Sequence, residues 1–251
     1  MNNITRVKTA AAAALTLMSS YSTSDAATLR PEGTDSHAQQ KVSDRLSARQ
    51  QFIPLIACYM ASSRMDKLNT ALNQGLDAGL TVNEIKEILV QLYAYTGFPR
   101  SLNALTELMK VIDSRQQRGI RDEQGKEPAA LVPVGDELRR VGLANQTKIA
   151  GTAVKGPLFE FAPVINQFLQ THLFGDIFAR DNLDWQSREL ATVGALAATS
   201  GVEAQLLSHM RGSLRVGLTH GQLRQLVQVL REHGENDAAT RADLALQQAS
   251  R

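Results

Sequence analysis

An acid and an imidazole twenty residues apart carry the sharpest chemical signal in the chain: Glu189 and His209. Gly201 marks a turn between them, twelve residues after Glu189 and eight before His209. If the flanks are the two helices of a hairpin, a rise of about 1.5 Å per residue leaves the pair roughly 6 Å apart along the axes. A hydrogen bond or a bridging water fits that spacing when both side chains face inward. His209 falls between Leu206 and Met210, with Leu214 on the same face, so its ring belongs to an apolar stripe. A carboxylate beside an imidazole holds its tautomer and makes a proton shuttle near neutral pH. The same pair equally describes a buried histidine satisfied by a glutamate, with no chemistry attached.

Around this pair stand residues suited to hold a small molecule. Tyr93 and Tyr95 lie two positions apart, so on a helix they face apart and one of them enters a pocket. Gly97-Phe98-Pro99 reads as a helix break that turns Arg100 and Asn103 toward it. Arg188 either grips a substrate carboxylate with its two-pronged guanidinium or pairs with Asp184 one turn earlier. His172 precedes Phe174-Gly175-Asp176, either as a further site residue or as a helix C-terminal histidine favoured by the dipole. His37, His220 and His233 sit in polar surroundings and read as solvated surface. No H-x-x-x-H or H-E-x-x-H spacing occurs, and His209 and His220 straddle the Gly217 turn eleven residues apart, so no metal is expected. The single Cys58, amid Ile56, Ala57 and Tyr59, excludes an internal disulfide and reads as a buried thiol.

The elements that must position these groups are helical. Thr81 and Glu84 form a capping box ahead of an apolar stripe of Ile85, Ile88, Leu89 and Leu92. Leu68, Leu72 and Leu76 draw the preceding helix, closed by Gly79 in the left-handed position. Alternation of β-branched residues is hard to find anywhere, so the fold class is all-α. Residues 68–92 match residues 206–230 at an offset of 138: Gly79-Leu80-Thr81 falls on Gly217-Leu218-Thr219, and Leu92 on Leu230. This reads as an internal duplication, with a first repeat over 45–115 and a second over 180–250. Residues 116–179 read as a crossing segment; the stretch from 113 to about 155, rich in charge, Gly and Pro, is its mobile part, with one short helix around 136–141.

At the N-terminus, Arg6 and Lys8 precede ten apolar residues, then a polar run with small residues at Ser24 and Ala26. That is the pattern of a secretory signal over 1–26, cut after Ala26, followed by a flexible lead-in over 27–44. A periplasmic or secreted protein is expected. No later window approaches 18 apolar residues, so no membrane span is expected. Of the 251 residues, 27 are Lys or Arg and 25 Asp or Glu, a balance too even for a nucleic-acid partner. An apolar share of 43% argues against disorder of the whole chain.

The run Tyr93-Ala-Tyr-Thr-Gly97-Phe98-Pro99-Arg100-Ser-Leu-Asn103, and Arg188-Glu189-Leu-Ala-Thr followed by His209 and the second Gly-Leu-Thr, resemble the carboxymuconolactone decarboxylase family. The piece His172-Leu-Phe-Gly-Asp-Ile-Phe-Ala-Arg180 with Leu183-Asp184 is similar to the lead-in of the second copy in two-copy members. The resemblance implies an alkylhydroperoxidase D-like helical fold that assembles into rings, here a homotrimer of double copies. It implies a cofactor-free lyase acting on a carboxylated lactone or similar cyclic carboxylic acid. His209 would deliver a proton and Glu189 orient it; Tyr95, Arg100 or Arg188 would contact lactone or carboxylate, with His172 as a further contact. The related alkylhydroperoxidase D proteins use a Cys-x-x-Cys pair before the histidine. Here that zone reads Gly201-Val-Glu-Ala204, and Ser63-Arg-Met-Asp66 in the first repeat, so peroxidase chemistry is not expected.

Each half has lost what the other keeps. Gln51 and Ala71 stand in the first repeat where the second has Glu189 and His209, and residues 231–241 lack the tyrosine-proline motif. One composite pocket is therefore expected, within a chain or across a subunit boundary. Export is unusual for a pathway enzyme of the cytoplasm, and the competing reading is a non-catalytic periplasmic assembly that binds a small molecule.

Overall fold

The computed structural model describes residues 43–251, so the expected signal sequence over 1–26 and nearly all of the expected lead-in over 27–44 lie outside the described residues. Those residues form helices and no strand. The first half runs α1 (Ala48–Ala61), α2 (Met65–Asp77), α3 (Val82–Gln91), α4 (Tyr93–Thr96) and α5 (Phe98–Gln117). The crossing segment holds α6 (Gly135–Ala150), α7 (Pro157–Phe161), α8 (Pro163–Phe168) and a π-helical stretch (Leu169–Ile177). The second half runs α9 (Trp185–Ala198), α10 (Glu203–Arg215), α11 (His220–Glu232) and α12 (Asn236–Ala249). Helices α10, α11 and α12 begin 138 residues after α2, α3 and α5.

The local signals behave alike in both halves. Thr81 Oγ1 accepts from the Glu84 amide at 3.2 Å, and Glu84 Oε2 accepts from the Thr81 amide at 2.9 Å. Thr219 and Gln222 make the same reciprocal pair at 3.1 and 2.9 Å. The turns ahead of both boxes need a glycine: Gly79 has φ +95° and Gly217 φ +101°. The residue after each glycine donates back to the helix it leaves, Leu80 to Gly75 O at 2.9 Å and Leu218 to Ser213 O at 3.0 Å. Each junction thereby satisfies carbonyls that the helix end would otherwise orphan.

Helices α1 and α9 form the centre. Residues 53–61 of α1 and 187–197 of α9 are buried on every side, so neither helix presents a polar face there. They touch backbone to backbone: a Cβ on Gly194 would lie 2.6 Å from Pro54 O and 2.7 Å from Pro54 Cα. No larger residue fits that crossing.

The crossing segment corrects the sequence expectation. The short helix expected around 136–141 is α6, 16 residues long, and beyond the expected mobile stretch α7, α8 and the π-helical stretch follow. It packs onto the second half through Ile149, Leu173, Phe174, Ile177 and Phe178. Gly142 makes the close approach of α6 to the π-helical stretch feasible, since a Cβ there would overlap Gln170 O. The physical cause was present in the sequence: Leu169, Leu173 and Ile177 recur every four residues. Among the described residues, no helix is long and apolar enough to cross a membrane.

Candidate functional site

Glu189 stands on α9, whose start is fixed by Asp184: its carboxylate accepts from the Ser187 amide at 2.8 Å. His209 stands on α10, the partner helix across the Gly201 turn. The two side chains meet directly, Glu189 Oε2 lying 2.9 Å from His209 Nδ1. Glu189 is fully buried and His209 nearly so, with 12% of its side chain exposed. A carboxylate oxygen accepts, so Nδ1 donates, and Nε2 is the ring nitrogen left free for another partner. One turn after His209, Gly212 leaves room for the carboxylate: a Cβ there would sit 3.3 Å from Glu189 Oε2 and 2.9 Å from Ile149.

Tyr95 arrives from the other half. The chain leaves α4 through Gly97 at φ +86°, which lets α5 start in a new direction with Pro99 in its first turn. Tyr95 sets its ring edge-on to the His209 ring, with centroids 5.3 Å apart and planes at 82°. Its hydroxyl is buried with no hydrogen-bond partner, and so is Glu189 Oε1. Thr192 is close by, but its hydroxyl donates to Arg188 O and accepts from Gln91 Nε2. Burial, with the Glu189 carboxylate nearby, pushes the Tyr95 phenol far above its ordinary range, so it stays protonated.

His209 and Tyr95 border a cavity of about 590 Å³. Its walls are mostly hydrocarbon, including Ile149, Leu158, Leu169, Leu173 and Phe174 from the crossing segment. Among the described residues, Gln146, Gln205 and Ser208 are the other polar lining residues, and no Lys or Arg lines it. Both halves and the crossing segment thus build one site within a single chain. Sequence reasoning missed the crossing-segment walls; Ile165, Leu169 and Leu173, spaced four residues apart, were the signal that marked part of them.

The remaining candidates do not join this site. Arg188 is wholly buried, so the expectation of a substrate-binding guanidinium or a surface pair with Asp184 is corrected. Its Nη2 donates to Glu87 Oε1 and to Arg180 O, both at 2.9 Å, and its Nη1 to Gln91 Oε1 at 3.0 Å. Asp184 is engaged in capping α9 instead. Burial pulls the Arg188 guanidinium below its ordinary pKa, and Glu87 opposes that shift. Arg100 is exposed and donates to Thr96 O at 3.0 Å; neither it nor Asn103 lines the cavity. His172 lies within the π-helical stretch rather than at a helix end before a turn. It contacts Asp176 at 2.7 Å and packs on Tyr93, which itself stacks on Phe98 outside the cavity lining.

Cys58 is buried on α1, and burial raises its thiol pKa to about 12, so it is no nucleophile at neutral pH. Among the described residues, no group of three His, Cys, Asp or Glu is placed to hold a metal ion.

Compared with known proteins, residues 163–248 match the carboxymuconolactone decarboxylase family. The match spans α8, the π-helical stretch and nearly all of α9 to α12, so it contains Glu189 and His209 but not Tyr95. It starts 17 residues before position 180, where the second repeat was expected to begin (180 − 163). No curated protein matches the chain.

The buried network and the exposed arginine make opposite predictions. Arg188→Met leaves Glu87 and Gln91 short of a donor and should cost about 3 kcal/mol of stability in urea denaturation. Arg100→Ala should stay within about 0.5 kcal/mol of the wild type. An Arg188→Met protein as stable as wild type would contradict the network's structural role.

Proposed function

We propose that this chain is an exported acid–base enzyme of the carboxymuconolactone decarboxylase type, working without a cofactor on a small cyclic carboxylic acid. The observation that carries the reading is an imidazole held through Nδ1 by a buried carboxylate at the edge of an apolar cavity. Loss of carbon dioxide breaks the bond from ring carbon to carboxylate and leaves its electron pair on the ring. A conjugated lactone spreads that pair as a dienolate and so serves as its own electron sink. Hydrocarbon walls leave the departing carboxylate poorly solvated, which favours its conversion to neutral carbon dioxide. With both ring nitrogens protonated, His209 hands its Nε2 proton to the ring carbon and is left as the neutral imidazole, its Nδ1 proton still held by Glu189; a proton from water recharges Nε2 for the next turnover. Tyr95 acts through its ring, which packs against the imidazole, rather than through its buried hydroxyl. Dithiol peroxidase chemistry needs a second cysteine, and the chain has one.

In this reading the chain is two copies of one helical unit, supported by the 138-residue offset of α2, α3 and α5 from α10, α11 and α12. Three chains close a ring. The support is an apolar stripe along α5, where Phe98, Leu102 and Met109 are each more than half exposed and Leu105 lies between them. The N-terminal pattern over 1–26 supports export to the periplasm or beyond.

The test follows ultraviolet loss and carbon dioxide release with a panel of carboxylated lactones. His209→Ala should lower turnover by about 10²-fold or more. Tyr95→Phe should stay within about two-fold, because the hydroxyl it removes has no partner. Turnover by His209→Ala at the wild-type rate would overturn the assignment. Light scattering should give the mass of three chains; a monomer at micromolar concentration would contradict the ring.

A further inference from the structure

The cavity's lining specifies more about its ligand than the family resemblance does. A second carboxylate brought into it would need a cation or several donors, because an unpaired buried charge is strongly disfavoured. None is at hand. The guanidinium of Arg188 is sealed behind the site on Glu87, Gln91 and Arg180 O. Arg215, behind the Ile149 wall, donates to Ile149 O at 3.0 Å and is not part of the lining. Gln146 gives its amide to Asn166 at 3.2 Å and accepts from Gln170 at 3.3 Å. Ser208 donates to Ala204 O at 3.0 Å.

The start of α10 at the cavity's rim carries an anion of its own: Glu203 in its first turn, whose carboxylate accepts from the Gly201 amide just ahead of the helix at 2.9 Å and would repel a second acid there. What remains, besides the uncharged Gln205 amide at the exposed rim, is a single imidazole nitrogen beside hydrocarbon, with the Glu189 carboxylate immediately behind the ring.

We infer that the cavity binds a monocarboxylic acid whose remaining body is hydrocarbon, with its one polar end at His209, and excludes di- and tricarboxylates. This rests on the acid–base reading of the same site, and it narrows the substrate to a singly charged, mostly apolar ring compound. A carboxylated lactone with two free acid groups falls outside it.

A matched pair of probes tests the inference by binding alone: 2-naphthoate and 2,6-naphthalenedicarboxylate, which share a ring body and differ by one carboxylate. Calorimetric titration of the full chain should show the monoacid binding at least about ten-fold more tightly. Gln205→Arg, at an exposed position on the rim, should raise affinity for the diacid about ten-fold and change the monoacid less. Equal or tighter binding of the diacid to wild type, no binding of the monoacid, or indifference of the diacid to Gln205→Arg would each overturn the inference. These outcomes stand apart from the test of catalysis. An enzyme that decarboxylates a diacid through His209 keeps the acid–base reading and defeats this one. Monoacid selectivity without turnover does the reverse.

Discussion

The site depends on a guanidinium that has no access to water. Arg188 on α9 is fully buried, and its charge is met by Glu87 and Gln91 of α3, with Arg180 O as a third acceptor. An ion taken out of water costs several kcal/mol unless its partners are in place, so α3 and α9 are bound to one register. Gln91 adds a return bond, donating to Arg188 O at 2.9 Å and to Thr192 Oγ1 at 2.8 Å. The consequence follows from helix geometry. Glu189, the next residue, points about 100° further round α9 and meets α10. Tyr95, four residues beyond Gln91, is carried to the same place from the other side.

What converges there is unequally satisfied. Glu189 Oε2 holds His209, while Oε1 and the Tyr95 hydroxyl lie buried without partners. They are two of the four unpaired buried side-chain polar atoms among the described residues. Buried polar groups are normally paired, and a local departure from that rule marks a site where stability has been set aside. The apolar cavity makes the contrast sharper. Its walls come from α6, α7, α8 and the π-helical stretch, a type of helix often found at functional positions.

Local signals in the sequence were legible because they act over a few residues. Thr81 with Glu84, and Gly79 and Gly217 at left-handed positions, formed as their types required. The Glu189–His209 contact was legible too, since a hairpin of two helices brings residues at similar distances from the turn together. Arg188 was not. Its partner Glu87 is 101 residues away, and the local candidate Asp184 caps α9 instead. Nor were Arg100 and His172 separable from true site residues by type alone; only the course of α5 and of the π-helical stretch excludes them from the lining. The crossing segment misled for a related reason. Its Gly and Pro read as looseness, yet Gly142 is the contact that lets α6 close on the π-helical stretch.

The account turns on which nitrogen of His209 carries a proton in the resting protein. Side-chain ¹⁵N NMR of the histidines at neutral pH reads this directly. The hydrogen bond to Glu189 predicts a protonated Nδ1 on His209, with its proton resonance far downfield and slow to exchange with water. A neutral His209 protonated at Nε2 alone would contradict it, because Nδ1 would then have no proton to give to Glu189.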